Sequence, residues 1–355
     1  MLNVLKKWYE RYFHDEQTVV LFLLLLVLGM AVIFFGSILA PVIAALVLAF
    51  LLQGVVVQLE RFKSPHLLAV ILSSAFLVFL LIVGLIIIMP LALDQLTNLV
   101  QELPRFITVL QEKLVLLPEI YPALISAAQV QEWTELLNRE LGGLGQSVLS
   151  FSVSKIPNLF GFMVYLVLVP ILVFFFLKDR VVLLSWFADK LPADRPLLSG
   201  IWAEMNTQMA NYVRGKAIEI FIISLASYSV FAGFGLNYAA LLAILVGLSV
   251  VVPYIGAFLV TLPVLLVALL QWGWGGELMW LMTAYLIIQG LDGNVLVPWL
   301  FSEAVNLHPV AILLAILFFG GLWGLWGVFF AIPLATLIKA VLNAWPDSLQ
   351  SGGVL

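Results

Sequence analysis

Apolar residues run along this chain in long blocks rather than in alternation. Leu, Val, Ile and Phe dominate 18–59, 67–89, 156–177, 217–234, 238–271, 278–301 and 309–341, with shorter polar stretches between them. A helix crosses a hydrocarbon core of about 30 Å in roughly 20 residues, so blocks of this length predict transmembrane helices. Membrane barrels alternate polar and apolar positions along each strand, which these blocks do not. The first block is too long for one crossing. "FFGSILAP" at 34–41, with Gly36 and Pro41, predicts a tight turn between a first span over 18–35 and a second ending near Leu59. In the second span, Gly36, Ala40 and Ala44 fall four apart, the spacing that lets helices pack closely in lipid. Pro65 suits the first turn of a third span, 67–89.

Residues 91–155 have a different pattern. Leu93, Leu96, Leu99, Leu103, Phe106, Leu110 and Leu114 recur every three or four positions among polar residues, and Trp133, Leu137 and Leu144 resume the series after several prolines. That is the period of an amphipathic helix, here a helical insert outside the membrane. It is acidic: Asp94, Glu102, Glu112, Glu119, Glu132, Glu135 and Glu140 stand against Arg105, Lys113, Arg139 and Lys155. A fourth span, 156–177, stops at "FLKDR". The stretch 178–216 then carries Lys178, Arg180, Lys190, Arg195, Arg214 and Lys216 before a fifth span, 217–234. Within it, 197–213 reads as an amphipathic helix lying in the inner leaflet or coupling to a moving domain.

Basic loops face the cytoplasm. Lys6, Lys7, Arg11, Arg61 and Lys63 join the 178–216 cluster on that side, with Lys339 near the other end. Both termini are therefore expected to be cytoplasmic and the insert outside. Ahead of the first span, Leu2, Leu5, Trp8, Tyr9, Tyr12 and Phe13 recur at helical spacing between charges, predicting a short interfacial helix. The first span is longer than a signal sequence's apolar core and no small-residue cleavage site follows, so it reads as uncleaved.

Beyond residue 236 simple counting fails. The block 238–271 would be roughly 51 Å as one helix, and "VVPYIGAF" and Pro263 interrupt it. "GLDGN" and Pro298 interrupt the next block and "FFGGLWGLWG" the last. Three crossings there, some discontinuous or re-entrant, bring the total to about eight. The fold class is all-α and polytopic, organised as 1–90 (interfacial helix and three spans), 91–155 (insert) and 156–355 (C-terminal membrane domain, with its discontinuous region at 236–341).

Composition agrees with this reading. The chain of 355 residues is 64% hydrophobic and 10% charged, against roughly 25% charged in soluble domains, and its mean hydropathy is +1.16. It has no cysteine, which excludes disulfides and thiolate chemistry, and its three histidines are too scattered for a metal site. A net charge of -4 gives nucleic acid no footprint. Phosphate-binding, metalloprotease, serine-hydrolase and dinucleotide motifs are missing. We expect no enzyme, no cofactor and no metal.

The polar residues inside apolar blocks carry the functional reading. "IIQGLDGNVLVPWLF", 287–301, places Gln289, Asp292 and Asn294 between Gly290 and Gly293, with Pro298 following. A carboxylate at mid-membrane costs several kcal/mol unless paired or hydrated, and broken helices at that depth hold substrates and ions in many transporters. These three residues line a polar cavity, or else "GLDGN" is an interfacial turn with Asp292 capping the next helix. Pro253 and Gly256 form a second break or a plain kink. Gly320 and Gly324 serve close packing or a hinge. Glu219, about one turn from Arg214, Gly215 and Lys216, makes a local ion pair at the interface or titrates on the cytoplasmic side of a proton pathway. Glu303 and His308 belong to an exposed loop or to a gate.

Four stretches, "FLKDR", "NYVRGKAIE", "GLNYAALLAILVGLSVVVPYIGAFLVTLP" and "LDGNVLVPWLFSEAVNLHPVAILLAILFFGGLWGLWGVFFAIPLATLIKA", occur in an order that resembles the autoinducer-2 exporter family. The resemblance implies an inner-membrane transporter of eight helices with cytoplasmic termini, a periplasmic insert, a mobile transport domain and assembly into a homo-oligomer, a pentamer. It does not name the cargo, because members move different substrates. Many members carry a basic residue after the proline matching Pro298, whereas this chain has Trp299, so no anion contact carries over. The expectation is a permease that exports a small polar solute by alternating access, coupled to a proton or sodium gradient. A passive channel, or a scaffold binding a periplasmic partner through 91–155, would be the other readings. Its surroundings are the lipid bilayer and other copies of itself.

Overall fold

The computed structural model describes residues 16–116, 118, 126, 128–136, 159–193, 195–253, 255–301 and 307–344. Among these residues every regular element is helical. The interfacial helix expected before residue 14 and much of the insert, including Leu137 and Leu144, lie outside them. Eight helical stretches are long and apolar enough to cross a membrane: Val19–Gly36, Ile38–Arg61, His66–Glu102, Gly161–Lys178, Pro196–Gly233, Ile255–Trp272, Gly276–Phe301 and Pro309–Asn343. The chain is an all-α, multi-pass membrane protein. Its outer surface suits hydrocarbon, as Phe258 (80% exposed), Leu262 and Leu317 illustrate.

Two boundaries differ from the sequence expectation for the same reason. Helix α1, Glu16–Arg61, runs unbroken for 46 residues through Gly36 and Pro41, where a turn was expected. Helix α6, Pro196–Gly233, is continuous for 38 residues and absorbs the amphipathic stretch 197–213 into the fifth span. Glycine and proline disfavour helices in water, where a freed carbonyl finds a new partner. Inside an apolar block the cost of an unsatisfied backbone group holds the helix together. The apolar face of 197–213 is not laid on lipid: Leu198 and Ile201 pack with Leu21 and Val341 in a buried cluster.

The third block behaves similarly. Helix α2, His66–Val83, passes through a π-helical turn, Gly84–Ile88, into α3, Met89–Val115. The amide of Met89 bonds to Gly84 O across the widened turn. Pro90 follows at once and has no amide to donate. The wider turn lets the helix continue past it. The amphipathic pattern after residue 91 therefore begins inside the same helix. Helix α4, Leu159–Lys178, and the short α5, Arg180–Ala188, come next in the described chain.

The chain forms two compact units. The first comprises Met1–Leu77, Val167–Glu219 and Gly293–Leu355; the second comprises Val78–Leu166 and Ile220–Asp292. In the second unit, α7 (Ala239–Ser249), α8 (Ile255–Trp272) and α9 (Gly276–Leu291) pack in sequence. Their buried faces carry Leu242, Val246, Val264, Ala268, Leu281 and Tyr285. A non-helical break over 250–253, containing Pro253, follows α7 ahead of α8. A Cβ at Gly256 would lie 1.8 Å from Ser249 O, so this re-entry needs glycine.

A second π-helical turn, Asp292–Leu296, begins at the last residue of the second unit and links α9 to the short α10, Val297–Phe301, in the first. The last element, α11 at Pro309–Ala344, bends at Gly324, whose φ of 59° and ψ of -134° are not helical. Its two arms fold back on each other: a Cβ at Gly327 would meet Phe319 O at 1.8 Å, and one at Gly320 would meet Val328 at 2.8 Å. Residues eight apart would be about 12 Å apart along a straight helix. The first arm, 309–323, is about 22 Å long, shorter than the hydrocarbon core.

Gly256→Ala should lower the midpoint of thermal unfolding in detergent, with an overpacking cost of about 1–3 kcal/mol. Gly29→Ala, where nothing lies within 4 Å of the added carbon, should leave it unchanged or raise it slightly. Equal midpoints for the two variants would show that the Gly256–Ser249 approach is not tight.

Candidate functional site

Asp292, Gln289 and Tyr285 are spaced i, i-3 and i-7 on α9 and its π-helical extension, so they share one helix face. Tyr285 is fully buried and Asp292 is 9% exposed. The Tyr285 hydroxyl lies 3.0 Å from Thr261 Oγ1 on α8, with Gln289 one turn further along α9. Thr261 also donates to Ala257 O at 2.7 Å, and the Tyr285 ring packs on Phe231 at 6.0 Å. The result is a polar line, Thr261–Tyr285–Gln289–Asp292, laid inside two apolar spans. Gln289 Nε2 is buried on this line with no hydrogen-bond partner among the described residues. A buried unsatisfied donor costs about 1–3 kcal/mol, and an acceptor placed there would recover it.

The backbone around Asp292 differs from the expected break. The amide of Asp292 reaches both Ile288 O and Gln289 O, and the chain stays helical through Gly290 and Gly293. Both glycines are exposed, and neither approaches a neighbour closely enough to require glycine. "GLDGN" therefore widens the helix without opening it, and Asp292 does not cap a new one. Asn294 is exposed. Two positions beyond Asp292, it does not share that residue's face, so the structure groups Gln289 with Asp292 and leaves Asn294 apart. Pro298 falls inside α10, the continuation of this helix.

A second charged site lies in the first unit. Lys216 Nζ and Glu219 Oε2 are 2.7 Å apart, with side chains 5% and 2% exposed. By length along the helix they stand about 26 and 21 Å from the Gly233 end of α6. Lys216 also sits over the Phe301 ring at 5.2 Å from its centroid. One turn earlier, Tyr212 donates to Phe329 O at 2.8 Å and packs on the rings of Phe301 and Phe329, both at 5.8 Å. Gly215 makes room for Phe301, which a Cβ would approach to 2.7 Å. Aromatic rings thus enclose a buried ion pair.

Arg214 points elsewhere. Its guanidinium lies against Gly54 of α1, where a Cβ would stand 3.2 Å from Nε. His308 is exposed, and its Nδ1 accepts from the Val310 amide at 3.2 Å, capping the start of α11. Glu303 lies outside the described residues. The structure thus gathers Gln289 with Asp292, sets Glu219 against Lys216, and keeps Arg214 and His308 separate. Sequence reasoning passed over Tyr285, Thr261, Tyr212 and Phe301. Helical spacing from Asp292 would have found Tyr285, and the i, i+3 spacing of Lys216 and Glu219 announces their pair; the others meet only through tertiary packing.

A family model described as AI-2E family transporter matches residues 21–347. The Escherichia coli (strain K12) protein PerM, named as a permease, is 46% identical over 348 residues, covering 98% of each chain. YueF of Bacillus subtilis (strain 168), named as a transport protein, is 26% identical over 330 residues, 87% of this chain and 84% of its own. The AI-2 transport protein TqsA of Escherichia coli (strain K12) is 22% identical over 326 residues, 90% of this chain and 91% of its own.

Removing one partner of a buried ion pair leaves the other charge uncompensated, at about 3–5 kcal/mol, whereas replacing both with apolar groups is close to neutral. Lys216→Met and Glu219→Leu should each depress the unfolding midpoint sharply, and the double variant should recover most of the loss. Simple addition of the two losses would mean that the pair is not coupled.

Proposed function

Because the chain belongs to the AI-2E transporter family, we propose that it carries a small polar solute outward across a bacterial inner membrane by alternating access. Gln289 and Asp292 form the core of the solute or ion site. One observation carries this reading: a polar line inside apolar spans ends in a buried carboxylate on a π-helical turn. Ionisable groups at this depth are costly and mark transport pathways and relays, and π-turns gather at functional sites. Asp292 stands about 14 Å from the Phe301 end of its helical stretch, near the middle of a bilayer. A carboxylate there exchanges a proton or sodium ion as access alternates, which would couple flux to a gradient.

Glu219 is the second coupling residue, with Lys216 as its partner at 2.7 Å. Arg214, Glu303 and His308 act at the cytoplasmic and loop ends as gating residues, and the fold-back at Gly324 with the break at Pro253 supplies hinges. Positive charge orients the chain: 62–65 and 178–216 face the cytoplasm and 91–155 faces outward. Both termini are cytoplasmic in this reading, which requires α1 to fold back at Gly36–Pro41 within the bilayer. The working form is a homo-oligomer, a pentamer.

Solute flux in proteoliposomes under imposed proton and sodium gradients tests the site. Asp292→Asn should cut gradient-driven flux at least tenfold. Unchanged flux would remove Asp292 from the mechanism, and unsaturable flux indifferent to both gradients would replace the transporter with a channel. Reporter fusions test the orientation. Fusions after Phe62 and Lys190 should read cytoplasmic and one after Ser126 periplasmic, and a reporter on the N-terminus should read cytoplasmic; a periplasmic signal there would keep α1 straight.

A further inference from the structure

A second polar feature, far along α9 from Asp292 and unused by the transport reading, lies wholly within the second unit. A cleft of about 430 Å³ is lined by Gln95, Asn98, Gln101 and Glu102 of α3 and by Asn237 and Tyr238 of the turn before α7. Its size falls within the ordinary range for small-molecule sites, about 300–1,000 Å³. The α3 residues lie on one helix face, at i, i+3 and i+6 or i+7.

The walls are held in place by specific bonds. Gln95 Oε1 accepts the Leu241 amide at 2.8 Å, one of the free amides at the start of α7. Gln271 grips the turn at both ends: the Asn237 amide donates to its Oε1 at 2.8 Å, and its Nε2 donates to Gly235 O at 2.8 Å. Gly235 and Tyr238 both have left-handed backbone, with φ of 70° and 59°. Tyr238 bears a Cβ and holds that conformation at a cost, so the turn is over-determined by its neighbours. Partial burial of the phenol, reinforced by its hydrogen bond to Glu102, pushes its pKa up to about 12. It remains a neutral donor at any physiological pH.

Four carboxamides, a phenol and one carboxylate make up the lining, with no Lys, Arg or His among them. Among the described residues, no basic side chain forms an ion pair with Glu102. Tyr238 fills one of about four acceptor positions on that carboxylate and leaves the rest open to the cleft. A site with one negative charge and many oxygen acceptors repels anions. It matches a group with positive charge and several N–H donors. A primary ammonium has three such donors and no acceptor. We propose that this cleft binds a small organic ammonium ion, whose –NH3+ donates to Glu102 and to the carboxamide oxygens beside it.

Isothermal titration of the full chain in non-ionic detergent tests this, with putrescine as the cationic probe, ribitol as the neutral one and inorganic phosphate as the anionic one. Putrescine should bind saturably, and the other two should not bind. Glu102→Gln should weaken putrescine at least tenfold. Glu102→Asp, which keeps the charge, should retain binding, as should Tyr238→Phe to within about threefold. Gly29→Ala, where nothing lies within 4 Å of the added carbon, should bind as the native chain does, and loss of flux in Asp292→Asn leaves this test standing. Absence of putrescine binding, or equal binding by Glu102→Gln, would overturn the proposal. So would ribitol binding weakened by both Glu102→Gln and Tyr238→Phe, which would make the cleft a site for neutral hydroxyl compounds.

Discussion

The absence of water from the hydrocarbon core governs this molecule. Each backbone amide and carbonyl there must find its partner within the chain, because an unsatisfied group costs several kcal/mol. Residues that end helices in water are therefore absorbed. Pro41 sits inside a 46-residue helix, and Pro90 follows a π-helical turn whose geometry accommodates its missing donor. Asp292, between two glycines, lies in a second π-helical turn that keeps the helix whole. Two departures from helix among the described residues are built around glycine: Gly256 at the start of α8 and Gly324 at the fold-back of α11.

The same constraint sorts what the sequence could say. Long apolar blocks with few charges are a direct record of the solvent, so fold class and approximate span positions were legible from them, whereas the transporter reading came from the resemblance of four stretches to a known family. Breaks were less legible, because a glycine or proline reports only a local preference. At Gly36, Pro41, Gly290 and Gly293 the need to satisfy the backbone overrode that preference. At Gly324 it did not, because the fold-back brings Phe319 and Gly327 into direct contact and packing replaces the lost helical geometry. Polar partners were legible at helical spacing only: Lys216 with Glu219, and Gln289 with Asp292. The Phe301 ring over Lys216, and Gln95 of α3 on Leu241 of α7, depend on tertiary packing and leave no local trace.

Burial costs also distinguish the two intramembrane carboxylates. Glu219 has an internal cation 2.7 Å away and aromatic rings around it, an arrangement that resists change because losing either charge strands the other. Asp292 ends a line of neutral hydroxyl and amide groups that can reorient, and Gln289 beside it keeps a buried donor unused by the described residues. A site that must bind and release cannot be fully satisfied at rest, since any ligand would then have to displace bonds as good as those it makes. The unused donor of Gln289 thus favours an exchanging guest, whereas Glu219 is tied to the Lys216 ammonium 2.7 Å away, because removing one charge of a buried pair costs far more than replacing both.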